Sequence, residues 1–280
     1  MKAELVIVVP LVALFVGVFE HRVIATHGMG LMYAATNGVD LSCLSELRNL
    51  LKTLSADVTC PEGDDSNTQL LRAIARPDNL QLLLERVLED EALLSQVADR
   101  SYKHVNHFDK IVLIGNDDPS GYRLTLHMWA PPYTSAQLDN ELIHDHRFSF
   151  WSAVVAGVID SENYSEESDG SPYRKYRYIP EQRHKSFLDF YEFRGDTQLL
   201  TLDRTRLETG ESYSIVGPRI HQVILPRESV SCTLVLRGPR VRSYANVFNK
   251  EYPRDNTQFD NSMFSPVQLT QKLERLARLV

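Results

Sequence analysis

Cysteine is scarce: Cys43, Cys60 and Cys232 are the only three in 280 residues, and no CxxC pair occurs. An odd number without metal-type or redox-type spacing excludes a disulfide-stapled secreted scaffold and a zinc ribbon. It fits a reducing compartment, so a cytoplasmic location is expected. Basic charge is also in short supply. Thirty Lys and Arg stand against 37 Asp and Glu, giving a formal net charge of −7. A general nucleic-acid binder carries a basic patch or stripe, so nucleic acid is not an expected partner. A full-length membrane-spanning run is missing too. Leu5 to Phe19 is apolar or small over 15 residues, whereas a bilayer core needs about 20. That run reads either as an anchor or targeting segment, or as a packed segment, and membrane association is expected only through residues 5–19. No internal repeat is present.

The remaining sequence is that of a large folded chain, with 43% hydrophobic residues to build a core. Residues 1–39 form the apolar N-terminal extension, and residues 40–100 read as helical. Leu44, Leu47, Leu50, Leu51 and Leu54 recur at helical spacing and line one face. The stretch from Cys60 to Asn67 breaks the pattern, Thr68 to Ala75 resumes it, and Pro77 is placed to open a further helix. From residue 101 to 248 the texture changes to short apolar or alternating runs between Gly, Pro, Asn and Asp. These are Lys110 to Ile114, Tyr122 to Trp129, Ala153 to Ile159, Gln198 to Leu202, Ser212 to Val216, Gln222 to Leu225 and Val230 to Leu236. Many short strands at close spacing predict a sandwich or barrel. The polar stretch 160–185, acidic first and basic later, reads as a long loop or a protruding hairpin. Its tyrosines, Tyr164, Tyr173, Tyr176 and Tyr178, form either a lid over the barrel mouth or an ordinary packing surface. Residues 249–280 end in a helix capped by Ser265 and Pro266, with Leu269, Leu273, Leu276 and Leu279 on one face.

Ile143-His144-Asp145-His146 is the segment richest in chemistry. Residues two apart on a strand share a face, so His144 and His146 can reach one ion while Asp145 points away. A bare HxH is also what two surface histidines in a loop look like. His104 and His107, just before the first barrel strand, read as surface or capping groups, and His184 as solvated. Downstream, Gly210-Glu-Ser-Tyr-Ser214 leads through Gly217-Pro218 to His221 at the start of a returning strand.

Tyr122-Arg-Leu-Thr-Leu-His-Met-Trp129, Ile143-His-Asp-His146, Gly157 and Arg219-Ile-His-Gln-Val223 together resemble the cysteine dioxygenase family of the cupins, over roughly residues 106–239. The resemblance implies a mainly β fold, a cupin (double-stranded β-helix) barrel with N-terminal packing helices and a C-terminal helix. It also implies ferrous iron, Fe(II), on His144, His146 and His221, with open positions for substrate and O2. Most cupins carry a glutamate five residues after the second histidine, where this chain has Trp151. Some thiol dioxygenases have a cysteine there that crosslinks to a tyrosine, a bond Trp151 cannot make. The family's active-site tyrosine falls where this chain has Arg237.

If Trp129 faces the lumen as its family counterpart does, alternation places His127, Thr125 and Arg123 beside it, with Arg237, Val235 and Thr233 opposite. Lys110 is the nearest match to the family's carboxylate-reading arginine. Arg123, Arg237, Lys110, His127 and Trp129 are therefore expected to bind substrate, with Trp151, Thr125 and Thr233 supporting them. The competing reading has the arginines snorkel outward or pair with acids. A cationic lumen implies a small anionic substrate, with thiols and amino acids among the candidates. Three functions follow: an iron oxygenase or dioxygenase; a hydrolase or isomerase using zinc, nickel or manganese; and a ligand-binding cupin without activity.

Overall fold

The computed structural model describes residues 38–54, 65–115, 118, 121–140, 143–179, 191–252 and 262–280. The apolar run at 5–19, Cys60 and His184 lie outside them. Among the described residues no helix is long and apolar enough to cross a membrane.

Helix α1 (Leu44–Thr53) buries Leu44, Leu47, Leu50 and Leu51, as the leucine spacing predicts. Helix α2 (Asp65–Ile74) precedes α3 (Pro77–Glu89), which has its proline in the first turn. A fourth helix, α4 (Glu91–Ala98), was not foreseen. Asp90 separates it from α3 and caps it, the carboxylate accepting from the Leu93 N–H at 2.9 Å.

Eleven strands among the described residues make two antiparallel sheets. The first holds β1 (Tyr102–Lys103), β2 (Asp109–Ile114), β3 (Arg123–Trp129), β5 (Phe148–Ala156), β8 (Ser212–Ile215) and β10 (Ser231–Arg240), in the order β1-β2-β3-β10-β5-β8. The second holds β4 (Ile143–His144), β6 (Val158–Tyr178), β7 (Tyr191–Glu208), β9 (Ile220–Ile224) and β11 (Ala245–Asn249), in the order β11-β4-β9-β6-β7, with β11 also pairing β6. From β3 onward the chain alternates between the sheets except at the β6/β7 hairpin, which is the winding of the cupin double-stranded β-helix. A short helix, α5 (Ser135–Leu138), links β3 to β4.

The first sheet is covered on both faces. Leu124, Leu126 and Met128 of β3, Trp151, Ala153 and Val155 of β5, and Leu234 and Leu236 of β10 pack outward against the leucines of α1 to α4. The last helix, α6 (Pro266–Ala277), joins this layer through Leu269, Leu273 and Leu276. Lys272 fixes it by pairing with the buried Asp109 at 2.7 Å. Leu279 does not continue the stripe: the helix stops at Ala277 and Leu279 is 47% exposed. The intervening strand residues point inward, and the site is built from them.

The polar stretch after Asp160 is a strand through Tyr178, not a loop. It pairs with β7 along the hairpin, with a register shift between Glu166 and Ser171. Gln198 to Leu202, expected as a separate strand, is the middle of β7. The hairpin alternative therefore holds; alternation does not give its register because both its faces are largely polar.

Candidate metal centre

His144 on β4 and His221 on β9 are direct cross-strand partners, and His146 follows β4 by two residues. One ring nitrogen from each lies within 4.8 Å of the other two. Nε2 of His146 and Nε2 of His221 are 2.8 Å apart. Two nitrogens held at right angles about 2.1 Å from one ion lie about 3.0 Å apart, so this spacing fits a shared divalent metal. Among the described residues these three form the one cluster of histidine, cysteine or acidic side chains able to hold an ion, and it contains no carboxylate. Burial holds His146 well below the usual imidazole range, with His144 and His221 adding to the effect. Burial does the same to His221, helped by His144 and Arg219. Both imidazoles are therefore kept in the neutral, metal-ligating form.

The backbone around the histidines is held by a clamp that the sequence did not announce. Asp145 is 3% exposed and points away from the cluster. It accepts the Asn246 backbone N–H and side-chain amide, each at 2.6 Å, and ion-pairs with Arg242. Arg242 also donates to the His146 carbonyl from Nε at 3.0 Å and from Nη2 at 2.7 Å. The His146 N–H in turn donates to the Gly217 carbonyl at 2.7 Å. Gly217 approaches so closely that a Cβ would sit 3.0 Å from the Phe148 carbonyl and 3.1 Å from that of His146.

The cluster lies in a cavity of about 330 Å³ between the sheets. Arg123, Thr125, His127 and Trp129 of β3 all line it, as do Lys110, Val235 and Arg237. Arg237 does not snorkel outward. Arg237 is 4% exposed, donates to the Gly121 carbonyl at 2.6 Å and lies 5.1 Å from the Phe148 ring. Burial lowers it to about 9, with Arg123 next among the causes. Burial also lowers Lys110 to about 7, followed by the repulsion of Arg237, Arg123, Arg147 and Arg240. Thr125 Oγ1 sits 3.2 Å from His127 Nε2, and that ring packs on Phe108 at 4.3 Å.

No family model matches the chain, and no curated protein matches it. Solved structures with partial likeness include a cupin domain from Bordetella pertussis, 15% identical over 47% of this chain and 92% of the other, TM-score 0.23. A hydroxypropylphosphonic acid epoxidase from S. wedmorenis is 11% identical over 75% of this chain and 96% of the other, TM-score 0.31. A hydroquinone 1,2-dioxygenase is 10% identical over 53% of this chain and 72% of the other, TM-score 0.28. Superpositions this loose say nothing about chemistry.

One expected supporting residue is elsewhere. Trp151 is fully buried on the outer face of β5, where it stacks on Tyr122 at 6.4 Å within the helix-facing core. Strand alternation gives the inner face to its neighbour Phe150, whose ring is 4.9 Å from that of His146. The position facing the histidines is therefore apolar. Thr233 does not line the cavity itself but pairs across the ladder with His127, which does, and is fully buried with its hydroxyl unpartnered. His104, expected at the surface, lines the cavity and stacks on Phe108 at 4.4 Å, and His107 is buried. Of the insert tyrosines, Tyr178 lines the cavity, while Tyr176 packs with Tyr191 and Tyr252. Asn106, Arg147 and Arg240 also reach the cavity and were not singled out in the sequence.

Proposed function

We propose that the protein is a non-haem iron oxygenase that oxidises a small anionic molecule at His144, His146 and His221. The observation that carries this reading is the convergence of three imidazoles, with no carboxylate among the described residues of the cluster, on a cavity that Lys110, Arg123 and Arg237 line from the other sheet. Imidazole suits iron, and three protein ligands leave positions for substrate and O2. Iron bound there would supply the reduction of O2 coupled to oxidation of the neighbouring substrate.

The chain's own side chains do the remaining work. Lys110 and Arg237 attract and hold the acidic group, and a guanidinium fork can take it in bidentate fashion. Holding it at one end of the cavity aims the rest of the molecule at the histidines. Phe148, Phe150 and Trp129 exclude water around the reacting atoms, which strengthens each charge contact inside. Thiols and amino acids that carry an acidic group are the candidates for this cationic cavity.

Elemental analysis of the purified protein beside His144→Ala tests the reading, together with oxygen uptake on a set of thiols and small acids. About one iron per chain, lost in the variant, with substrate-dependent oxygen uptake is the expected result. Zinc or nickel without oxygen uptake would replace it with hydrolase or isomerase chemistry, and no metal in either protein would overturn both.

A further inference from the structure

Three of the cavity's cations have no anionic partner among the described residues. The charged groups acting on Lys110 are Arg237, Arg123, Arg147 and Arg240, all positive. Arg237 uses one N–H on the Gly121 carbonyl and leaves Nε buried and unpaired. Arg240 likewise leaves Nε buried and unpaired.

Arg240 reaches this wall through an irregularity in β10. Residues three apart on a regular strand face opposite sides. A register shift between Arg237 and Arg240 against β5 breaks that alternation, and both side chains line the cavity. The irregularity is packed in place: a Cβ on Gly238 would meet the Ser149 carbonyl at 3.1 Å and the Trp151 ring at 3.4 Å. Arg147, next to His146, adds a further cation to the lining. The one carboxylate among the described residues that line the cavity, Asp145, is already taken by Arg242 and Asn246.

Arg237 is buried and Lys110 and Arg240 are half-buried; charges withdrawn from water without partners are costly, and a ligand that supplies the counter-charge relieves that cost. One carboxylate would balance one of the three. We propose that the cavity selects a small dianion, seated between Lys110, Arg237 and Arg240, the second charge being either on the same tetrahedral oxyanion or on a second carboxylate. This rests on the reading of the cavity as the substrate site and narrows its substrate class. The depressed Lys110 supports it independently: a bound dianion restores the ammonium, so binding near neutral pH takes up a proton.

The test is calorimetric titration of the full chain at about pH 7 with sulfate, malonate and acetate. Metal content is measured in the same preparation, and the titrations are repeated on His146→Ala. Sulfate or malonate is expected to bind at least about tenfold tighter than acetate, in wild type and in His146→Ala alike. Whichever of the two is tighter identifies the tetrahedral or the dicarboxylate form. Arg240→Gln should remove most of that preference while changing acetate affinity less than about threefold, whereas Lys110→Met should weaken all three anions and the dianions most. Acetate binding as tightly as both dianions, or no anion binding at all, overturns the proposal. A protein without metal that keeps the dianion preference overturns the iron reading and leaves this one standing.

Discussion

Arg242 and His146 are joined by two hydrogen bonds, the guanidinium gripping the carbonyl of a candidate ligand while its charge rests on Asp145. The histidine is thereby held through its backbone, and its ring stays free to face the cluster. Replacing Arg242 with Ala removes no ligand but releases the segment that carries two of them. Metal affinity should fall roughly 10- to 100-fold, as for other groups that orient ligands from behind. Metal titration followed by competition with a chelator reads this, with circular dichroism confirming that the barrel persists. Unchanged affinity would show that the ladder alone positions His144 and His146.

Trp151 and Phe150 separate two roles that lie one residue apart. Trp151→Ala should cost about 3–5 kcal/mol in unfolding free energy, because it empties the helix-facing core, while metal stoichiometry stays as in wild type. Phe150→Ala should be less costly to the fold, yet alter ligand binding, since its ring lies beside His146. Denaturant unfolding paired with metal analysis distinguishes them. Loss of metal in the Trp151 variant, at a temperature where it is still folded, would return that residue to the site.

The sequence made some parts of the molecule readable and others not, for physical reasons. Helical faces are carried by leucine spacing, so α1, α3 and α6 could be located from the chain itself. His144, His146 and His221 stand out because a strand presents alternate residues to one face. The inward set Arg123, Thr125, His127 and Trp129 follows from the same alternation. The misplacement of Trp151 is a one-residue error in the same period: β5 puts Phe150 inward, and a one-step offset exchanges the faces. Arg240 was hidden because only the irregularity after Arg237 turns it inward. The clamp of Asp145 with Arg242 and Asn246 was hidden because its partners lie about 100 residues apart in the chain, and no local pattern reports such a contact.

Lys110 should make stability depend on pH in a distinctive direction. Its folded value of about 7 lies below the ordinary 10.5, so the unfolded chain binds more protons between these two values and stability falls as pH drops through that window. The loss is complete below about pH 7. Lys110→Met has no such proton, so it should melt higher than wild type at pH 6, with the gap narrowing as pH rises toward 10. Thermal melts across that range, in buffer free of sulfate and phosphate, check it. A constant gap would mean that Lys110 is not desolvated in solution.

The histidines should add a second, acid-side dependence that metal removes. With the ion stripped, His146 and His221 are neutral in the fold and titrate well below 6.5, chiefly because they are buried. In the unfolded chain they take up protons as pH falls through about 6.5. The unfolded state then binds more protons than the native one, so the stability they contribute is present above that pH and is lost progressively below it. Metal binds only the folded, neutral cluster, so loading raises stability and the increment shrinks as acid competes for the ring nitrogens. Chelator-treated protein should therefore lose melting temperature between pH 7 and 5 more steeply than a His146→Gln, His221→Gln double variant, which has no rings to protonate there. Parallel melting curves for the two proteins would show that these imidazoles are solvated, and that neutrality at the cluster comes from the metal rather than from burial.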